Sequence, residues 1–144
     1  MTKDNLIKRN IFKPVQCQFC DEHESIPQLF FECIVAKNIW DYVENFSNIK
    51  VQSFLDMACK WPCRGNFDTF NCISARVCWG IWLTRNRMIF QGQVWMDIKT
   101  VLTRCWKCMN LWKPMFMGAS SEGVGQWCSY LEEALRTPLA IMDR

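Results

Sequence analysis

The chain has 144 residues, half of them apolar, with eight tryptophans, ten cysteines, one histidine and a formal net charge of +3. This length is about one ordinary domain and excludes a large multidomain enzyme. So many aromatic residues in so small a chain predict that part of the apolar surface faces a partner.

Two observations argue against a membrane protein and a secreted one. The run MTKDNLIKRN has no long apolar core, so we expect neither a signal peptide nor an anchor. No stretch approaches the roughly eighteen uninterrupted apolar residues that a membrane span needs. We therefore expect an intracellular reducing compartment, the cytoplasm or the nucleus, in which the cysteines are thiols or metal ligands rather than disulfides.

The first half of the chain predicts three helices and one loop. Thr2 caps a helix of about two turns, which ends at Pro14. A cysteine-containing loop follows, and a helix is predicted over about residues 34–46. Ser53 caps a third helix, which ends before Pro62. The apolar face of the second helix consists of Ile34, Ile39, Trp40, Val43 and Phe46.

The second half predicts three further helices. The segment FDTFNCISARVCWGIWLTRNRMIF gives the clearest one, with Gly92 as its stop. A helix over about residues 95–112 is closed by Pro114, and the loop GASSEGVGQ is expected to separate a last short helix near residues 127–136. Their predicted core residues are Phe70, Ile73, Val77 and Ile81 in the first and Ile98, Val101, Leu102, Cys105 and Met109 in the second.

The pattern as a whole predicts a mainly α fold. A small irregular cysteine loop, with at most a short hairpin, is followed by a compact bundle of four to five helices.

Charge is segregated along the chain. Residues 69–113 carry seven basic groups and one acidic group, whereas residues 21–68 carry a net charge of −4. Five tryptophans are interleaved with the basic groups. Such a segment could supply phosphate contacts and stacking surfaces for nucleic acid. The commoner alternative is that the tryptophans face inward and the basic groups form a solvated face.

The stretch CQFCDEHESIPQLFFEC contains three cysteines with the spacing of metal ligands. Cys17-x2-Cys20 is a standard turn pair, and Cys33 opens the following helix. A zinc site needs four soft or borderline ligands that converge tetrahedrally from a tight turn and a following element. The stretch supplies three of the four.

The motifs of residues 2–92 resemble the zinc-binding region that follows the reverse transcriptase of plant LINE-type (non-LTR) retrotransposons. That family typically reads T-x-D-N-L, then C-x2-C-x7-H-x4-C with a tryptophan beyond the last cysteine, then I-W-x-x-R-N-x-x-x-F. The matching residues are Thr2, Asp4, Asn5 and Leu6 for the first motif, Cys17, Cys20, Cys33 and Trp40 for the second, and Ile81, Trp82, Arg85, Asn86 and Phe90 for the third.

The resemblance implies a zinc-binding region over residues 1–92 and zinc as its cofactor. Residues 93–144 are then a helical carboxy-terminal extension that packs on it as one structural unit. Two features depart from the family pattern. Gln28 stands at the position of the family histidine, and a neutral amide oxygen gives neither the charge nor the softness that a zinc site prefers. The family region normally begins before the T-x-D-N-L element, so we expect the chain to be truncated at its start.

His23, the sole histidine, is the candidate for the missing ligand, which gives the set Cys17, Cys20, His23 and Cys33. The alternative is a solvated loop histidine beside a former zinc site, with the loop held by hydrogen bonds and by Phe19, Leu29, Phe30 and Phe31. The other cysteines are expected to pack or to form turns; they are Cys59, Cys63, Cys72, Cys78, Cys105, Cys108 and Cys128.

We expect no enzymatic activity and no small-molecule substrate. A polymerase or a ribonuclease H needs several convergent carboxylates to hold two magnesium ions, and the chain has no Asp-Asp pair. Its acidic cluster, Asp21, Glu22 and Glu24, is expected to be solvated. Its glycines match no phosphate-binding loop.

Two functions remain open. In the favoured one, a non-enzymatic, retrotransposon-derived protein engages a protein partner or a second copy of itself through exposed apolar surface. In the alternative, the basic face of residues 76–113 binds nucleic acid without sequence preference, with or without zinc. Arg85 and Asn86 could equally bond to neighbouring helices. The candidate nucleic-acid contacts are Arg85, Asn86, Arg87, Lys99, Arg104 and Lys107.

Overall fold

The computed structural model describes residues 3–10, 15–61 and 67–137. Within these ranges the protein has no β-strand, only an isolated antiparallel bridge between Gln16 and His23. The prediction of a mainly α fold is therefore confirmed. The α-helices are α1 (Lys3–Ile7), α2 (Ile34–Ser47), α3 (Phe54–Lys60), α4 (Phe67–Gln91), α5 (Lys99–Trp112) and α6 (Gly118–Arg136), with a π-helical turn at Gln28–Glu32 and a 3₁₀ turn at Lys113–Met115.

Helix α4 is the central element of the core. Its predicted stripe, Phe70, Ile73, Val77 and Ile81, is at most 2% exposed. Because these residues recur every three to four positions, they form one apolar face along the helix. Helices α2, α5 and α6 all pack against α4, and the buried residues form one cluster that runs from Cys17 to Leu131.

Helices α4 and α5 approach closely where Gly80 lies. A Cβ atom at this position would lie 2.7 Å from the Sγ atom of Cys105 and 3.3 Å from a methyl carbon of Val101. The absence of a side chain at Gly80 is therefore what allows this spacing between the two helices. Cys105 and Val101 are both buried.

Helix α6 corrects one prediction. The segment GASSEGVGQ, expected to be a loop, is helical from residue 118. Val124, Trp127, Cys128 and Leu131 form a buried stripe along this helix, so their packing outweighs the low helix propensity of the glycines and serines. Gly123 also allows a close approach, because a Cβ atom there would lie 2.5 Å from the Thr69 hydroxyl.

Most helix boundaries agree with the sequence patterns. The Ser53 hydroxyl accepts a hydrogen bond from the Asp56 backbone N–H at 3.1 Å and so caps α3. Gly92, with a φ of 65°, follows the end of α4. Two details differ: α5 begins at residue 99 rather than near 95, and Ile34 is 57% exposed rather than on the inner face. The predicted cap at Thr2 and the stops at Pro14 and Pro62 lie outside the described residues.

No α-helix in the described ranges combines the length and apolar character that crossing a membrane requires.

Candidate metal centre and basic groove

The first two cysteines lie in a tight loop held by backbone hydrogen bonds. The Cys17 N–H donates to the Glu22 carbonyl at 2.8 Å, and the Glu24 N–H donates to the Val15 carbonyl at 2.9 Å. These bonds flank the bridge between residues 16 and 23 and close the chain into a knuckle, residues 17–22. The short hairpin allowed by the sequence is thus reduced to one bridge and this turn.

The three cysteine sulfurs converge. The Sγ atoms of Cys17, Cys20 and Cys33 all lie within 4.8 Å of one another. Tetrahedral zinc, with Zn–S bonds of about 2.3 Å, holds its sulfurs about 3.8 Å apart. The three thiols therefore lie close enough to hold a metal ion, and they are the ligand type that zinc favours in structural sites.

A π-helical turn brings Gln28 to the same site. Residues five apart on an α-helix point about 140° away from each other. Here the Cys33 N–H donates to the Gln28 carbonyl at 2.7 Å, an i to i+5 bond that widens the turn and brings both residues to the same side. The Trp40 indole N–H donates to the Phe30 carbonyl at 2.7 Å and fixes this turn to α2.

The Gln28 side chain lies against the cysteines. Its Nε2 atom is 3.1 Å from the Cys20 Sγ atom, and the residue is 6% exposed. Its Oε1 atom is buried and has no hydrogen-bond partner among the described residues. A buried carbonyl oxygen without a partner beside three thiols is a polar group that a cation would satisfy. The cluster and this amide therefore fit a zinc ion.

Cys17 and Cys33 share a hydrogen bond that shifts the pKa values of the two thiols in opposite directions. A hydrogen bond with Cys33 lowers the pKa of the Cys17 thiol from 9.0 to about 6. The same hydrogen bond, together with burial, raises the pKa of Cys33. Cys17 is therefore the thiol that ionises first, and a thiolate is the form that binds a metal.

His23 lies outside the group of three cysteines. Its side chain is exposed, and its backbone takes part in the bridge to Gln16. The structure thus brings three of the four sequence-predicted ligands together, with Gln28 rather than His23 beside them. Sequence reasoning dismissed Gln28 on the chemistry of its amide, although its spacing of five residues before Cys33 was the signal for its position.

The other described cysteines pack or face solvent. Burial raises the pKa of Cys105 and of Cys78 to about 12, so both are neutral thiols in the helical core. Cys128 is also buried, and Cys59 is exposed. Cys63 lies outside the described residues. Phe19, Leu29, Phe30 and Phe31 pack on the core beside the loop, as the sequence predicted.

Arg85 and Glu24 correct two expectations. Both side chains are 0% exposed, and the guanidinium donates to the carboxylate through Nε at 3.1 Å and through Nη2 at 2.5 Å. Asn86 accepts a third bond from Arg85 Nη1 at 2.9 Å. Arg85 is therefore not a surface phosphate contact, because its donors face a buried carboxylate. Glu24 is not solvated either, whereas Asp21 and Glu22 are exposed.

A groove between α4 and α5 gathers the other basic candidates. This basic groove has a volume of about 690 Å³ and includes one acidic residue, Asp97, and the half-exposed ring of Trp79. Burial, and then the neighbouring charge of Arg87, lower the pKa of Arg104. The cationic residues that line the basic groove are Arg87, Lys99, Arg104 and Lys107.

The four cations of the groove are held differently. The Lys99 ammonium donates to the carbonyls of Leu135 at 2.9 Å and Thr137 at 2.7 Å, where it caps the end of α6. Arg104 Nη2 donates to Gln93 at 2.6 Å. Arg87 and Lys107 are exposed side chains. Two of the cations are thus fixed by the fold, and two extend into solvent beside them.

The described residues form a helical fold with a cluster of three cysteines, close enough together to hold a metal ion, in the amino-terminal quarter of the chain. Residues 1–40 match a family model described as zinc-binding in reverse transcriptase. This match, which contains all three cysteines and Gln28, and the observed cluster fit a reverse-transcriptase zinc-binding region. The matched family is a zinc-binding one rather than a polymerase domain. Searches of curated proteins and of solved structures returned no match.

Proposed function

We propose that the chain is a non-catalytic, retrotransposon-derived module that uses zinc to hold its amino-terminal loop and binds the phosphate backbone of nucleic acid in the basic groove. The observation that carries the proposal is the convergence of Arg87, Lys99, Arg104 and Lys107 on one groove against a single carboxylate. A cluster of cations attracts a polyanion by releasing its counterions, whatever the base sequence.

The groove also offers a surface for bases. The Trp79 ring lies in its lining and is 50% exposed, so a base of single-stranded nucleic acid could stack on it. The knuckle contacts the segment that leads into α5, since Phe19 packs edge-on against Trp95 with ring centroids 4.8 Å apart. Zinc in the knuckle would thereby stabilise the segment that leads into one wall of the groove.

The test is binding of labelled single-stranded RNA of mixed sequence, followed by fluorescence anisotropy over a range of salt concentrations. Four phosphate contacts predict a slope of about −3 in log affinity against log salt. The variant Arg87→Glu with Lys107→Glu removes the two exposed cations, so we expect at least about tenfold weaker binding and a slope closer to zero.

The matched control is Lys37→Glu with Lys50→Glu. Both lysines are exposed and lie outside the basic groove, and the change in net charge is the same. Equal losses in the two variants would mean that only net charge matters, and unchanged binding in the groove variant would refute the proposal.

A second candidate function is self-association through apolar surface at the end of α5. Trp61, Trp112 and Met115 are 45%, 41% and 72% exposed and, with Phe116, line a cleft of about 370 Å³. Exposed aromatic and methionine side chains grouped at one cleft favour a protein contact. Sedimentation velocity over a range of concentrations tests this: a monomer at high concentration would count against it, and a dimer lost in Met115→Glu would support it.

A further inference from the structure

We propose that Gln28 supplies the fourth ligand of the metal centre through its amide oxygen, so that the protein builds a site of three thiolates and one neutral oxygen. This inference rests on the zinc binding included in the proposed function, and it is independent of nucleic acid. It would make Gln28 the residue that determines how tightly and how selectively the site holds its metal.

The first support is position. The π-helical turn places Gln28 and Cys33 on one side of the chain, through the bond from the Cys33 N–H to the Gln28 carbonyl. The Gln28 side chain then reaches the sulfur of Cys20, at 3.1 Å, which belongs to the other end of the loop. Gln28 thus lies on the same side of the chain as Cys33, and its side chain contacts Cys20 of the knuckle.

The second support is the unsatisfied oxygen. Gln28 is nine-tenths or more buried, and within the described part of the chain its Oε1 atom has no hydrogen-bond partner. The nitrogen of an amide has no lone pair to give to a metal, whereas its oxygen has two. Rotation about the last side-chain bond exchanges the two atoms, so the oxygen can face the three sulfurs.

The third support is the absence of a nearer donor. Among the described histidine, cysteine and carboxylate side chains, no fourth one lies in the cluster. His23 is exposed and lies outside the cluster, and the Glu24 carboxylate is paired with Arg85. The Gln28 amide, which contacts Cys20, is therefore the side-chain group that we assign to the fourth position.

A neutral amide oxygen is a harder and weaker donor to zinc than an imidazole nitrogen. With three thiolates the centre keeps the same net charge as a Cys3His site, but its fourth bond is easier to break. We therefore expect the bound metal ion to exchange readily. We also expect the site to accept other thiophilic ions that bind stably to three thiolates without a fourth ligand.

The decisive experiment is zinc X-ray absorption on the purified full chain and on Gln28→Cys. We expect three sulfur neighbours and one light neighbour in the wild type, without the outer scattering of an imidazole ring. Gln28→Cys should show four sulfurs, because its thiol would occupy the fourth position. The control Gln18→Cys, in the same loop, should keep three sulfurs and one light atom.

Zinc affinity, measured by competition with a chelating dye, distinguishes an amide oxygen from a water molecule as the fourth ligand. We expect Gln28→Ala to bind zinc at least about tenfold more weakly than the wild type and Gln28→His to bind more tightly. Equal affinities of wild type and Gln28→Ala would overturn the proposal. The proposal would also be overturned by an imidazole signal in the wild type that disappears in His23→Ala. It would likewise be overturned if Gln28→Cys showed only three sulfur neighbours, or if the wild type bound no zinc. None of these readouts involves RNA, so RNA binding can fail while this inference stands.

Discussion

Arg85 and Glu24 form a bidentate ion pair, fully buried, between side chains 61 residues apart in sequence. The pair joins the cysteine loop to α4. Removing one partner of such a pair leaves an uncompensated buried charge, whereas removing both does not.

We therefore expect Arg85→Met to lower the free energy of unfolding by about 3–5 kcal/mol. The double variant Glu24→Gln with Arg85→Met should recover part of this loss, because no buried charge then remains. Urea unfolding followed by circular dichroism measures both. Arg136→Met is the control: its pair with Glu132 is exposed, so the change should be below about 1 kcal/mol. A double variant less stable than Arg85→Met would contradict the argument.

Two glycines on α6 should respond in opposite directions to alanine. A Cβ atom at Gly123 would lie 2.5 Å from the Thr69 hydroxyl, and the β-branched threonine has little freedom to move away. We expect Gly123→Ala to destabilise the protein by about 1–3 kcal/mol.

At Gly125 the nearest atom to a new Cβ is 3.7 Å away, on the Lys113 side chain. Gly125→Ala should stabilise the protein by about 0.5–1 kcal/mol, because alanine loses less backbone entropy in a helix. Thermal unfolding compares the two variants directly, and equal shifts of the same sign would show that α6 does not pack on α4 at Gly123.

Alkaline pH should destabilise the protein through its buried thiols. Burial raises the pKa of Cys105 from 9.0 to about 12, so between these values the unfolded chain releases a proton that the folded chain keeps. The contribution of this thiol to stability is therefore complete below pH 9 and is lost as the pH rises towards 12. Each such group changes the free energy of unfolding by at most about 1.4 kcal/mol per pH unit.

The measurement is urea unfolding at several values above pH 9. Cys105→Ala should be less stable than the wild type at pH 8, because it leaves a cavity, but its stability should fall less steeply above pH 9. Cys59→Ala, which removes an exposed thiol, should keep the wild-type slope. The same slope in all three proteins would show that Cys105 is not neutral in the folded state.

Zinc content should follow the cysteine cluster. We expect about one zinc per chain by plasma mass spectrometry of protein purified without added metal, and loss of that zinc in Cys33→Ser. Removing zinc with a strong chelator should also lower the thermal midpoint, because the knuckle packs on the core through Phe19. Cys59→Ser, outside the cluster, should retain the metal. Full zinc content in Cys33→Ser would place the site elsewhere.

Periodicity predicted the helices that carry regular apolar stripes. The stripe of α4 and the cap at Ser53 are local patterns, so the sequence was sufficient for them. The start of α6 was missed because the glycines and serines of GASSEGVGQ have a low helix propensity, which the packing of the stripe from Val124 to Leu131 outweighs. The exposure of Ile34 was not predicted, because the apolar periodicity of a helix does not show whether another element covers its first turn.

The three cysteines of the site could be predicted from the sequence, whereas the buried ion pair that holds the cysteine loop on α4 could not. Spacing alone grouped Cys17, Cys20 and Cys33. The burial of Arg85 had one unused signal: it lies four residues after Ile81 on the same stripe, and a buried arginine requires an acidic partner. Arg85 pairs with Glu24 rather than with a neighbouring carboxylate because the backbone hydrogen bonds of the knuckle position Glu24, and these bonds follow from the tertiary structure.

The close approach at Gly80 brings together α4 and α5, the two helices that border the basic groove. Arg87 lies about two helical turns beyond Gly80 on α4, and Lys107 lies on α5, so the two charges belong to opposite walls of the groove. The missing side chain at Gly80 thus sets how closely these two walls approach each other. A larger residue at position 80 would push α4 and α5 apart, and would thereby move the two walls of the groove without changing any of its cations.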